Sequence, residues 1–475
     1  MNETLTEVLG EFAATADMGA MPHEVVDEAK RLVLDTLGCA LGGVTEPKGR
    51  IGIDYGVLLG GSAGEATVFG TPRRSSPVGA AFANAELVSA LDFDAVLPPG
   101  HVSPYVLPGT LAFAESGAVT GRKLIEAVAV AHEMTYRFGK AMDYVRDMTD
   151  GETKLAPVVG YACSVFGAAA AVGMVRGNPA ETIAHALGIA GALSPVNSHG
   201  AWIRHAPSST VKYTPAGPLV QAAISAALMA ELGHRGDRQI LDDAEFGYRR
   251  FIATARWEPS HLTDGLGTEW RFPTEATYKP YPHCRVLHAP LDALIGLVRE
   301  HGIAPAEIDA IRLWGEGWIK EPVWLNNRIE HVQDAQFSIA HGLAAGAHDL
   351  PPSRAWQAPE FVFGDSVLGL MNKVTFEVHP EYTAQLAQHP SARPTRIEVD
   401  ARGTTYAAER SFPKGSPSPD PDTTMTTDEL AAKFRANADG VLTDADTEAL
   451  IEGVLGLDKA EDVRPLLRQA AGRPD

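Results

Sequence analysis

Polar side chains set inside apolar or Gly/Pro-rich stretches are where this chain could do chemistry. Asp92-Phe93-Asp94 closes an apolar helix, and Pro98-Pro99-Gly100-His101 follows it. A loop stiffened in this way puts His101 within reach of a carboxylate. A carboxylate partner fixes an imidazole's tautomer and tunes it for proton transfer near neutral pH; a helix cap and a surface loop would use the same residues. Lys154 stands directly before an uncharged run, either as a solvated helix end or as a charge at a pocket. Ser208-Ser209-Thr210-Val211-Lys212 sets a lysine among small hydroxyl residues ahead of an apolar helix, which suits carboxylate binding as well as a solvated loop. The segment Tyr278-Lys279-Pro280-Tyr281-Pro282-His283-Cys284-Arg285 gathers Lys279, His283 and Arg285 on a proline-stiffened backbone, as an anion pocket or an interdomain loop would. Cys284 has no triad companions that would make it a nucleophile.

Composition narrows the function classes. Of 475 residues, 60 are acidic and 40 basic, a formal net charge of −20. Such a chain repels nucleic acid and anionic membrane at long range, so an anionic substrate needs a locally basic pocket. Cys39, Cys163 and Cys284 are too few for a disulfide framework and lack metal-ligand spacing, which points to a reducing, cytoplasmic setting. The start of the chain carries Glu3 and Glu7 and no basic, then apolar, signal pattern. There is no P-loop, no His-Glu-x-x-His, no paired CxxC and no G-x-S-x-G, and the glycines at 56–64 lack the strand-turn-helix context of a dinucleotide site. No cofactor and no metal is expected.

The elements that must position these residues are mostly helical. Periodicity predicts helices over 22–43, 77–91 and 122–141. Three Ala/Gly-rich uncharged runs, between Lys154 and Arg176 and at 186–203 and 213–230, read as helices buried on every side of a large α-domain rather than as membrane spans. Beyond residue 270 the texture changes. Helices are predicted at 284–300 and 334–347, with period-2 strands at 308–313, 374–378 and 397–401 and a return run through Tyr406 and Ala408. A Pro-rich linker at 413–423 leads to short C-terminal helices, the first opened by a Thr426/Glu429 capping box. The expected fold is mainly α: a helical domain at 1–267, completed by 411–475, and an α+β lid domain at 268–410.

The order of DTLGCALGG (35–43), ATVFG (66–70), AELVSALDFD (85–94), the His101 loop, HALGIAG (185–191), Lys212…Gly217 and KPYPHC (279–284) resembles the MmgE/PrpD family over nearly the whole chain. That family includes 2-methylcitrate dehydratase, cis-aconitate decarboxylase and iminodisuccinate epimerase. The resemblance implies a homodimer without metal or organic cofactor, binding a small di- or tricarboxylate between its two domains. By the same resemblance, Asp92 matches the first aspartate of a DFDD-type motif, and His101 the loop histidine after it. Lys212 matches a lysine five residues before a glycine, and His283 the histidine of a Pro-x-His pattern. Two departures stand out: Asp94 is followed by Ala95-Val96 where members often have Asp-Thr, and Lys154 takes the place of a histidine six residues before Gly160. The implied mechanism uses Lys212, Lys279 and Arg285 to bind carboxylates, His101 oriented by Asp92 for one proton transfer, and His283 or Lys154 for the other. Dehydration of a 2-methylcitrate-like hydroxy acid is the first expectation. An iminodisuccinate-like epimerase and a cis-aconitate-like decarboxylase are the alternatives, and a carboxylate-binding protein that kept the fold is the rival from outside enzymes.

Overall fold

A computed structural model describes residues 3–149, 151–153, 156, 158–196 and 198–473. The N-terminal part is a bundle of α1 (Leu5–Thr15), α2 (His23–Gly43), α3 (Pro47–Gly60), α4 (Pro77–Ser89), α5 (Ser103–Gly117), α6 (Gly121–Ala141), α7 (Ser164–Val175), α8 (Ala180–Leu193), α9 (His199–Arg204) and α10 (Ala216–Glu231). At its centre runs α7, SVFGAAAAVGMV, with every residue buried. Its small side chains let α5, α6, α8 and α10 pack close around it, and Phe166 stacks on Phe138 of α6 at 4.4 Å between ring centroids.

The uncharged runs depart from prediction in three ways. The first becomes helical only at Ser164, after a 3-10 turn at Gly160–Cys163. The second breaks at Ser194, because Pro195 disfavours helical backbone in the residue before it, and resumes as α9. Burial all round holds for α7 alone: Leu193 on α8 and Met229 on α10 are exposed. Among the described residues, no helix is long and apolar enough to cross a membrane.

The second part is built on a four-stranded sheet of β3 (Ile308–Gly315), β4 (Val374–Val378), β5 (Thr395–Ala401) and β6 (Thr404–Arg410), in the order β6–β5–β3–β4. β3 and β4 are parallel and the other pairings antiparallel. Inward residues Ile397, Val399 and Ala401 alternate with partly exposed ones, the half-buried pattern of a sheet covered on one face. α11 (His288–His301) lies on β5 and β6. The helix predicted at 334–347 is interrupted because the Ser338 hydroxyl caps a new helix, α12 (Ile339–Gly346), by accepting from the His341 amide.

Residues 413–423 are not a free linker. Ser416 is buried, Tyr278 N–H donates to the Gly415 carbonyl at 3.0 Å, and a 3-10 turn closes the segment at Pro421–Thr423. It threads between the two parts and delivers α13 (Thr427–Ala438), capped by Thr426 and Glu429, onto α2, with α14 (Asp444–Leu455) beside it.

One buried histidine ties the bundle to pH. His132 on α6 donates from Nδ1 to the Val128 carbonyl (2.8 Å), and its Nε2 meets the Ser103 hydroxyl at the start of α5 (3.2 Å). Burial lowers its pKa to about 4. A histidine that stays neutral when folded and charges when unfolded contributes stability that is full above about pH 6.5 and is lost as pH falls toward 4. Thermal unfolding midpoints should therefore drop between pH 6.5 and 4. His132→Gln should flatten that slope by an amount equivalent to about 3 kcal/mol.

Candidate active site

Sequence-remote charges meet just past the end of α4. The Asp92 carboxylate is fully buried and receives three side chains. Lys212 Nζ donates to Oδ1 at 3.0 Å and the Tyr213 hydroxyl to the same oxygen at 3.2 Å. Lys279 Nζ donates to Oδ2 and to the Asp92 carbonyl, each at 2.7 Å. Burial alone would raise the Asp92 pKa, but the Lys212 and Lys279 charges override it and hold the carboxyl well below the usual range. Lys212 moves the other way, lowered by burial against the pull of Asp92. An ammonium has three donors, so these bonds among the described residues leave two on Lys212 and one on Lys279.

His101 reaches the same point on a short hairpin of β1 (Val96–Leu97) and β2 (Gly100–His101). The hairpin is anchored to the second part of the chain by a reciprocal pair of Val96–Thr277 backbone bonds, both 2.8 Å. Gly100 is required beside it, since a Cβ there would stand 2.2 Å from the Tyr161 ring. The carboxylate that orients His101 is Asp94, not Asp92: Nδ1 lies 2.7 Å from Asp94 Oδ2, whereas Nε2 stands 3.4 Å from Asp92 Oδ1. The reason is local. Asp92 has left-handed backbone (φ 54°), a conformation aspartate tolerates better than most residues, and the two carboxylates face opposite nitrogens of one ring. His101 also stacks on Tyr213 at 4.7 Å, within an aromatic wall that includes Tyr161, His199 and Trp202. Burial lowers the His199 pKa to about 3, with the nearby His101 charge adding to it.

A further ion pair stands behind the aspartates. Lys433 on α13 donates to Asp35 Oδ1 of α2 (2.7 Å) and to the Phe93 carbonyl (2.6 Å), and its ammonium sits 3.9 Å from the Phe93 ring centroid. Asp35 Oδ2 accepts the Ala95 amide at 2.9 Å. The loop carrying Asp92 and Asp94 is thus gripped at the residues between and after them. Sequence reading missed Lys433, Asp35, Tyr213 and His199. The available signal for Lys433 was a lysine on the same helix face as Leu430 and Phe434.

The remaining candidates lie elsewhere. His283 is buried against α12, where a Cβ on Gly342 would come within 2.4 Å of its Nε2. Burial lowers its pKa to about 3 against the opposing pull of the Asp92 charge and the Ala335 backbone. It is a packed ring close enough to sense the Asp92 and Lys279 charges, and burial favours its neutral form, a much weaker acid than the imidazolium. The Arg285 guanidinium donates to Ser416 and faces a separate cavity between the two parts of the chain. Lys154 lies outside the described residues. The Cys284 sulfur accepts from Trp324 Nε1, and burial raises its pKa, so it is not an activated thiol. Among the described residues no cluster of three or more His, Cys, Asp or Glu is arranged to hold a metal ion.

Removing Lys433 leaves Asp35 buried and unpaired, a change that costs about 3–5 kcal/mol in comparable sites. Lys433→Met should lose stability on that scale in denaturant unfolding, whereas Lys30→Met, at a partly exposed pair with Asp458, should lose less than about 1 kcal/mol.

Comparison with known proteins agrees with this arrangement of two parts. The MmgE/PrpD N-terminal domain family matches residues 7–260, and the MmgE/PrpD C-terminal domain family matches residues 281–459. The second match runs into α13 and α14, which pack on the first part in space. The chain is 27% identical to the cis-aconitate decarboxylase of Homo sapiens, over 97% of this chain and 93% of that protein. It is 26% identical to the Aspergillus terreus (strain NIH 2624 / FGSC A1156) cis-aconitate decarboxylase (98% and 95%), and 27% identical to that of Mus musculus (99% and 94%).

Proposed function

Since this chain belongs to the MmgE/PrpD family, we propose that it is a lyase acting on the carbon beside a carboxylate of a small tricarboxylic acid, with decarboxylation of a cis-aconitate-like substrate as its reaction. The observation that carries the reading is the juxtaposition of His101, backed by Asp94, with two lysines held on Asp92. The near full-length likeness to cis-aconitate decarboxylases puts decarboxylation ahead of the dehydration that the family resemblance first implied.

In this reaction the bond from the saturated methylene carbon to its carboxylate breaks and CO2 leaves. The electron pair forms a terminal methylene, and the original double bond moves into the neighbouring carboxylate as a dienolate. Lys212 and Lys279 bind that carboxylate and stabilise the charge as it develops, acting in a water-poor site where fixed charges count most. His101 then delivers its Nε2 proton to the former vinylic carbon, while Asp94 holds Nδ1 and keeps the ring aimed. One proton enters and one CO2 leaves, and no redox partner is needed.

Dehydration remains the second reading, because the same base and the same lysines would serve removal of a proton beside a carboxylate. Epimerisation needs a second proton-transfer group on the opposite face. His283, neutral and packed against Gly342, is poorly suited to that task.

Proton NMR of the purified protein with cis-aconitate in D2O should show terminal methylene signals and one deuterium at the adjacent saturated carbon. Water loss from 2-methylcitrate, with cis-aconitate untouched, would favour dehydration instead. His101→Gln should lower turnover at least about 100-fold with little change in KM, the low end of general acid–base contributions. Unchanged turnover would remove His101 from the mechanism.

A further inference from the structure

The cavity that Arg285 faces lies against the β1–β2 hairpin and is lined by residues of both the bundle and the sheet-bearing part. Gly100, next to His101, lines it. Its volume is about 100 Å3, and a water takes up about 30 Å3, so one oxyanion or the carboxylate end of a larger acid fits. Arg146 and Lys140 enter from the bundle side, and Arg285 and Arg393 from the other.

Among the described residues, carboxylates do not balance the charges there. Glu316 alone bonds two of the arginines: Arg146 Nη1 donates to Oε2 at 3.0 Å, and Arg393 Nη1 donates to Oε1. Glu275 is the carboxylate on the wall itself. Asp292, whose charge Arg285 senses, already accepts the Tyr281 hydroxyl and the Lys414 amide, both at 2.8 Å. Two buried donors, Arg146 Nε and Arg285 Nη1, have no hydrogen-bond partner among the described residues. The Arg146 side chain is 4% exposed and that of Arg393 11%. Burial lowers the pKa of all three arginines, that of Arg285 to about 10, and repulsion from Arg146 adds to it for Arg285 and Arg393. Buried donors in native proteins are nearly always satisfied, and uncompensated guanidinium groups are costly to desolvate.

We propose that Arg146, Arg285 and Arg393 form an oxyanion-binding site that clips the two parts of the chain together by taking a carboxylate, sulfate or phosphate group. Guanidinium groups from both sides would close on the anion with bidentate geometry. The occupant is either the far carboxylate of the substrate or a separate small oxyanion. Only the first identification rests on the reaction proposed above; the site itself does not.

Titration calorimetry with sodium sulfate at constant ionic strength tests it without any substrate. The wild-type protein should bind sulfate saturably. Arg285→Gln should weaken binding at least about tenfold, the scale of one charge-assisted hydrogen bond. Lys140→Gln, at a partly exposed position needing no repacking, should weaken it about threefold through a screened charge. Absence of saturable binding, or equal affinity in wild type and both variants, overturns the proposal. Kinetics then separates the sources. Competitive inhibition by sulfate, with KM raised and kcat kept in Arg285→Gln, assigns the site to a substrate carboxylate. Sulfate binding unaffected by saturating substrate assigns it to a separate oxyanion.

Discussion

A single buried carboxylate, Asp92, is what the rest of the site depends on. It brings together two lysines that lie 120 and 187 residues further along the chain, and neither could be buried without it. An ammonium in a low-dielectric interior costs several kcal/mol unless it is paired and hydrogen-bonded. Here both are paired to one acceptor, and with Asp94 nearby two ammonium groups meet two carboxylates, inside a chain whose overall charge is −20. The lysine N–H donors not used by Asp92 are what an anionic transition state needs, and they are fixed before any substrate arrives.

The scaffold makes sense as the means of holding that carboxylate still. Asp92 and Tyr213 both take left-handed backbone, a conformation that costs free energy for a residue as bulky as tyrosine and persists only where surroundings over-determine it. Asp35 and Lys433 supply that support from behind, one from the N-terminal bundle and one from the C-terminal α13. The C-terminal helices thus add a positioning charge as well as buried apolar surface. The Val96–Thr277 bridge does the same for the His101 hairpin from the other part of the chain.

Much of this was legible from sequence, for physical reasons. Helix periodicity and strand alternation were plain where elements have one buried face, as in α2, α6 and β5. They failed where burial is uniform: an Ala/Gly run carries no period, so the break at Ser194 was legible only through Pro195. The charged residues Asp92, Lys212 and Lys279 stood out because they interrupt apolar stretches. What could not be read was pairing. Asp92 and Asp94 are equivalent in a motif, and only the left-handed turn between α4 and the hairpin decides that Asp94 takes Nδ1 of His101. Lys433 was hidden for a similar reason, since a lysine on an amphipathic helix usually reaches solvent. Arg285 looked like part of the lysine cluster because it lies six residues from Lys279, yet the turn between them sends it to a different cavity.

The proposed reaction requires the lysines on Asp92 to hold a substrate carboxylate beside His101. A crystal structure with propane-1,2,3-tricarboxylate, which lacks the double bond needed for reaction, tests this directly. One carboxylate should lie within about 3 Å of Lys212 or Lys279 Nζ, with the adjacent carbon facing His101 Nε2. An analogue bound with all three carboxylates away from both lysines, or with His101 turned toward solvent, would contradict it.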